Sequence, residues 1–264
     1  MKLRSWDCRS RNNLIYIIYG LYKALRAENC VNFNIFKVVL NYIYYVKEYS
    51  KYIETNANPH FCTDIRFIYP CLNDNTFLTP LEPTYFFQDT WGARKIFGDK
   101  PLHHYDIGSN ATTVGIISQF VPTTMIDIRP IDLKIPGLCF VKGSILEIPF
   151  SDNSLNSLSS LCVIEHIGLG RYGDPIDAFG SEKAAEELQR VLAPGGNLYV
   201  SMPVDSECRV YFNAHRAFTR KRILELFSQL MLVEEKYHYD RELCEQYDPG
   251  KGFGTGLFHF QKVS

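Results

Sequence analysis

Tyr105-Asp106-Ile107-Gly108-Ser109-Asn110 is the stretch whose reading decides the fold. A short apolar run from His103 to Ile107 carries an aspartate near its end and stops at a glycine. Ala111–Phe120 then places Val114, Ile117 and Phe120 on one helical face. Strand, glycine turn and helix follow one another with no spare residues. In open α/β sheets, ligands bind beyond the carboxyl ends of the strands, where the strand order reverses. A glycine at that point lets the backbone approach a ligand closely, and the start of the helix offers free N–H groups to a carboxylate.

Downstream, strand-like and helix-like segments alternate. Thr123–Ile128, Leu138–Lys142, Leu155–Val163, Leu198–Val204, Leu232–His238 and Gly256–Val263 read as further strands. Their short hydrophobic runs suit strands covered on both faces. Ser181 is predicted to cap a helix reaching Leu192, with Glu182 in its first turn. Ala193-Pro-Gly-Gly196 stops that helix, and Thr219 caps another that runs to about Leu230. This is an α/β pattern with a mostly parallel sheet. Residues 11–53 differ, reading as two helices rich in Tyr, Ile and Phe. Pro59, Pro70, Pro80 and Pro83 break residues 54–84 into loops, and a short helix spans Tyr85–Phe97. The expected organisation is an aromatic helical extension over 1–84 and an α/β domain over 85–264.

The chain has 264 residues, 46% hydrophobic and 22% charged, enough apolar material for a core. The 28 basic and 29 acidic side chains give a net charge of -1, which offers no electrostatic case for duplex nucleic acid. The 8 cysteines form no C-x-x-C pair. Cys139 and Cys162 read as buried thiols, and a reducing cytoplasm is the expected compartment. The apolar runs Leu14–Tyr22 and Val38–Val46 fall well short of the ~20 residues that span a bilayer. They are expected to pack on the core or on a second copy of the chain as a homodimer, with a membrane interface as the alternative. His103 and His104 read as structural, since no partner cluster for a metal is visible.

Asp127 ends the second strand about 20 positions after the glycine turn, where an acid accepts hydrogen bonds from both ribose hydroxyls. Lys142-Gly-Ser144 follows the third strand, where an adenine edge would lie. A dinucleotide fingerprint wants G-x-G-x-x-G, but Asn110 and Thr113 stand where its second and third glycines belong.

Asp106-Ile-Gly-Ser109, Asp127, Ile148-Pro-Phe-Ser-Asp-Asn-Ser154, Glu165-His166 and Arg190-Val-Leu-Ala-Pro-Gly-Gly196 together resemble a class I S-adenosylmethionine-dependent methyltransferase. More narrowly, Glu165-His-Ile-Gly-Leu-Gly-Arg-Tyr-Gly-Asp-Pro-Ile-Asp177, Phe212-Asn-Ala-His-Arg216 and Gly256-Leu-Phe-His-Phe260 resemble domain-of-unknown-function family 268, over roughly Tyr85 to Lys262. The H-I-G-L-G-R-Y-G-D-P run is highly specific to that family. The resemblance implies a Rossmann-like sheet of seven strands, mostly parallel with an antiparallel last strand. It also implies S-adenosylmethionine as cofactor and a small acceptor, with a glycan precursor or nucleotide-sugar among the choices. Asp106, Gly108, Ser109, Asn110, Asp127, Ser144 and Glu165 are then the residues expected at the donor. Asn110 stands where many such enzymes carry a second glycine, and Ser144 where many carry an acid.

Methyl transfer from a sulfonium is an in-line displacement in which the protein mainly aligns the nucleophile. A hydroxyl acceptor also needs a base. His166, past the fourth strand, has the ordinary basicity for that task, and Asp174 is the alternative. The glycine-rich loop Gly168–Gly173 brings Arg171 and Tyr172 as candidate acceptor ligands, although Asp174-Pro175 is also a good turn opener. Arg209, His215 and Arg216 lie close enough in sequence to clamp a phosphate or carboxylate, or else to form a solvated loop. A Rossmann-like protein that binds or scaffolds without catalysis is the competing reading. Replacing Asp127 separates the two.

Overall fold

The computed structural model describes residues 18, 35–55, 58, 60, 61 and 63–263. Contacts divide the chain into two units, Met1–Pro80 and Leu81–Ser264. In the first, α1 spans Ile35–Thr55, and Asn41 Nδ2 donates to the Leu72 carbonyl at 3.1 Å. This is the second of the two expected N-terminal helices. The first falls outside the described residues, apart from a helical Ile18. Among the described residues, no helix is long and apolar enough to cross a membrane.

The second unit begins with α2, Pro83–Asp99. Glu82 caps it by accepting from Tyr85 N, and Pro83 sits in the first turn, where its missing N–H costs nothing. Then come β1 (His104–Ile107), α3 (Ala111–Ile117), β2 (Thr123–Asp127), β3 (Leu138–Lys142) and β4 (Leu155–Leu161). They are followed by α4 (Gly180–Val191), β5 (Leu192–Val204), a small hairpin of β6 (Arg209–Tyr211) and β7 (His215–Ala217), and α5 (Arg220–Leu226). β8 (Leu230–Tyr239), β9 (Glu242–Cys244) and β10 (Gly254–Lys262) complete the unit.

The main sheet has the order β3-β2-β1-β4-β5-β10-β8-β9. β1 to β5 run parallel, and β10 runs antiparallel to both β5 and β8. This is the expected seven-stranded sheet with its antiparallel last strand, extended by the three-residue edge strand β9. Side chains alternate along the strands to feed two cores. Tyr199 and Leu257 join Trp91, Ile96 and Ile117 in one. Leu198, Val200 and Phe258 join Leu188, Val191 and Ile223 in the other. Helices therefore cover both faces. The strand order reverses between β1 and β4, so the loops leaving their carboxyl ends diverge and open a crevice.

Three local readings need correction. Ser181 does not cap α4: the helix starts at Gly180, and Ser181 Oγ donates at 2.8 Å to the carbonyl of Ile164. β5 begins at Leu192 rather than Leu198, because Ala193-Pro-Gly-Gly196 is absorbed into the strand as a register shift against β4. Cys139 is exposed, since β3 is an edge strand.

Candidate functional site

The turn after β1 is tied down by Asp106. Its Oδ1 accepts from Ser109 N at 3.0 Å, and its Oδ2 accepts from Ser109 Oγ at 2.6 Å and Ser159 Oγ at 2.5 Å. Ser109 Oγ in turn accepts from Leu161 N at 2.9 Å, which joins the turn to the end of β4. Burial pushes the Asp106 carboxyl up to about 6 against these hydrogen bonds. The resemblance puts Asp106 at the donor. It is fully enclosed and lines neither cavity described below, so it shapes the turn rather than meeting a ligand. Gly108 does face the cavity. It holds φ 72°, and a Cβ there would meet Val163 Cγ1 at 3.0 Å.

A cavity of about 360 Å³ lies over the carboxyl ends of β1, β2 and β4. Ile107, Ile126, Ile145, Leu146 and Val163 supply apolar wall, while Asp127, Ser144 and His166 supply polar groups. An adjoining recess of about 440 Å³ shares Gly108, Asp127, Arg129, Cys162, His166 and Tyr172 with it and adds Tyr85, Ser109 and Asn110. Five of the expected donor residues thus meet in one crevice: Gly108, Ser109, Asn110, Asp127 and Ser144. Asn110 Oδ1 accepts from Thr112 N at 2.9 Å, which caps α3 and commits the side-chain oxygen to the helix. Ser144 Oγ accepts from Leu146 N at 3.1 Å and keeps its own proton to donate. Asp127 Oδ1 accepts from the backbone N of Arg129 at 2.7 Å.

His166 ends a single 3₁₀ turn, Ile164–His166, that follows β4. Its Nδ1 lies 2.7 Å from the carbonyl oxygen of Ala214, in the turn between β6 and β7. A carbonyl only accepts, so Nδ1 carries the proton and Nε2 keeps the lone pair. Burial lowers the imidazole to about 4, against the Ala214 hydrogen bond that favours the charged form. Glu165, expected at the donor, lines neither cavity and is buried behind His166.

Cys162, which the sequence pattern places inside a strand, lies one residue past β4 with φ 52°, half-buried, and lines both cavities. A non-glycine residue in that region stores strain of the kind that collects at ligand sites. No local sequence signal marks it. Tyr85 is a second site residue that sequence reasoning misses. It opens α2, far from the crevice in sequence, and no pattern in the chain links the two.

The glycine-rich loop is held from within. Asp174 Oδ2 accepts from Gly168 N at 2.6 Å and Gly170 N at 3.3 Å, and Oδ1 from Tyr172 N at 3.2 Å. Burial raises its carboxyl, but these backbone donors outweigh it and leave the group below its ordinary range. Asp174 is therefore the loop's organiser, and it also lines the cavity. Tyr172 lies over the crevice with its ring edge-on to His166 at 5.5 Å. Arg129 and Arg171 lie 4.6 and 5.1 Å from its ring centre. Arg171 also donates to the Ala214 carbonyl at 3.0 Å.

The anticipated clamp is not assembled. Arg216 is buried and donates to the carbonyls of Ile167 (2.5 Å), Asp177 (3.0 Å) and Ala178 (3.4 Å) and to Ser181 Oγ (3.2 Å). Arg209 pairs with Asp205 at 2.6 Å and Glu207 at 3.3 Å. His215 packs between Tyr211 and Phe253, at 5.1 and 5.3 Å. All three side chains are occupied by the protein, and none lines the crevice.

The fold has close counterparts among solved structures. The N-methyltransferase NodS from Bradyrhizobium japonicum WM9 superposes with a TM-score of 0.51 at 18% identity, covering 69% of this chain and 98% of NodS. Its complex with S-adenosyl-l-homocysteine gives 0.51 at 17% identity, over 83% and 98%. The [4+2]-cyclase SpnF gives 0.50 at 12% identity, over 66% and 81%. At such identities the likeness establishes the fold, and the presence of a cyclase shows that the fold alone does not fix the reaction. No curated protein matches the chain. Residues 149–246, which carry the H-I-G-L-G-R-Y-G-D-P run and the Phe212–Arg216 motif, match the family described as Caenorhabditis protein of unknown function, DUF268, on the Rossmann-like fold of class I methyltransferases.

Proposed function

We propose that the protein is an S-adenosylmethionine-dependent methyltransferase acting on a small, hydroxyl-bearing acceptor. One observation carries the reading. A glycine turn with φ 72°, an acid at the end of β2, an apolar pocket beside Ser144 and the His166 imidazole all face one crevice. Each is what a donor with a methionine end, a ribose and an adenine needs, together with a base for its acceptor. The residues present fit that group. Asp127 would hold the ribose hydroxyls, Ile126, Ile145, Leu146 and Ser144 would hold the adenine, and Gly108 would leave room for the methionine end. When bound, the donor supplies an already activated methyl group. The protein then has to orient the acceptor and receive its proton.

His166 Nε2 receives the proton that leaves the acceptor hydroxyl. The Ala214 carbonyl holds the tautomer that makes this possible. Tyr172 and the loop ordered by Asp174 exclude water over the crevice. The family resemblance supports a glycan precursor or nucleotide-sugar as the acceptor. The test is transfer of a labelled methyl group from S-adenosylmethionine to a panel of free sugars and nucleotide-sugars, by the natural protein and by His166→Gln. Transfer reduced by about 10²-fold or more in the variant, with S-adenosylhomocysteine binding retained, supports the assignment. Equal transfer by both proteins removes His166 from the chemistry.

A further inference from the structure

Glu165 precedes the proposed base and has 1% of its surface exposed. Its Oε1 lies 3.8 Å from His166 Nε2, and its Oε2 has no hydrogen-bond partner. Leaving a buried polar atom unpaired is costly, so folded proteins seldom retain one without a use for it. The groups facing the carboxyl are few. Cys162 Sγ hydrogen-bonds to it, and Arg171 acts on it from the glycine-rich loop. Around His166 are the Ala214 carbonyl on Nδ1 and the charges of Arg171, His215 and Asp174. Ser201 hydrogen-bonds to Cys162, and the charge of Asp89 acts on it. No cation forms an ion pair with Glu165 among the described residues other than His166, if it is protonated.

We propose that Glu165 is the positioning residue for His166, its carboxylate serving as counter-charge to an imidazolium formed at Nε2. This rests on His166 as the base assigned above. The geometry puts the carboxyl beside the one ring nitrogen that has a lone pair. With a proton on Glu165, an imidazolium at Nε2 has no counter-charge beside it, and Nε2 is a poor acceptor. With it gone, the Glu165 carboxylate faces Nε2, and an imidazolium formed there has a counter-charge at 3.8 Å. The proton leaving the acceptor hydroxyl then converts the proton-free pair back to the one-proton pair, so the charges balance. Burial agrees with this division. It lifts Glu165 to about 8 and lowers His166 to about 4, so between those limits Glu165 holds its proton and the ring is neutral.

The test needs no acceptor. The ring carbons of His166 are followed by NMR from about pH 6 to about pH 9.5, in the natural protein and in Glu165→Gln, with His166→Asn to assign the signals. The expected result is a step centred near pH 8 in the natural protein, which Glu165→Gln abolishes. A natural protein without that step, or a step that persists unchanged in Glu165→Gln, overturns the proposal. If the variant does not fold, the natural protein alone decides by the presence or absence of the step. Calorimetry with S-adenosylhomocysteine on the same samples separates the two readings. A step near pH 8 without ligand binding keeps the pair and sinks the methyltransferase reading. Ligand binding without the step does the reverse.

Discussion

Arg129 reaches back to Asp127, with its Nε 3.4 Å from Oδ1 and its Nη2 3.5 Å from Oδ2. The same guanidinium lies 4.6 Å from the ring centre of Tyr172. Asp127, proposed to hold the ribose, is therefore engaged by its own neighbour, and that contact must loosen before both oxygens can accept from a ligand. The pair is long and the guanidinium largely exposed, so its strength is that of a surface ion pair, about 0.2–1 kcal/mol. Arg129→Ala is expected to bind S-adenosylhomocysteine up to about fivefold more tightly by calorimetry. Weaker binding in the variant would make Arg129 a ligand contact instead.

Arg216 holds the loop that follows β4 by donating to three carbonyls and one hydroxyl. Removing a buried charged donor leaves those acceptors without a partner. Arg216→Met should therefore lower stability by about 3 kcal/mol, read from chemical unfolding. If stability is unchanged while ligand affinity falls, the residue is a binding group after all.

His104 is enclosed in the sheet, with Nδ1 2.8 Å from Ser157 Oγ and Nε2 2.9 Å from Ser159 Oγ. Burial, aided by the charge of His103, lowers its ring to about 3. The unfolded chain protonates this group below its ordinary value of about 6.5, whereas the folded protein resists until near 3. Its contribution to stability is thus complete above about 6.5 and is lost as pH falls toward 3. His104→Gln removes that dependence. The difference in Tm between the natural protein and the variant should narrow between about pH 7 and about pH 4. A constant difference would show that His104 does not titrate in this way.

The parts of this architecture that follow from local chemistry were legible in the chain. Gly108 could be read because a glycine set between a strand and a helix marks a tight turn or a close approach of the backbone. The parallel strands could be read because short apolar runs separated by helical periodicity admit few alternatives. Asp127 followed from its distance beyond that turn, and Ser144 from its place after the third strand. The failures share a cause in tertiary context. Arg209, His215 and Arg216 look like one cluster in sequence. In the hairpin, His215 pairs opposite Tyr211 and Arg216 opposite Val210, so neighbouring side chains leave on opposite faces. One joins an aromatic group and the other is buried under the loop. Glu165 resembles a ligand contact because it adjoins His166, but its carboxyl is enclosed beside the imidazole and lines neither cavity. The positive φ of Cys162 arises where β4 must end and bend toward that turn, and nothing in a cysteine announces it.

The central claim is that the crevice between β1 and β4 binds an adenosyl donor through Asp127. Calorimetric titration of the protein with S-adenosylhomocysteine, beside Asp127→Ala and with NAD as a control, tests it most directly. The expected result is micromolar binding of the adenosyl ligand and none of NAD, weakened in the variant by about 10²-fold, as two charge-assisted hydrogen bonds to ribose would require. Binding of equal strength in both proteins, or none in either at millimolar ligand, would contradict it.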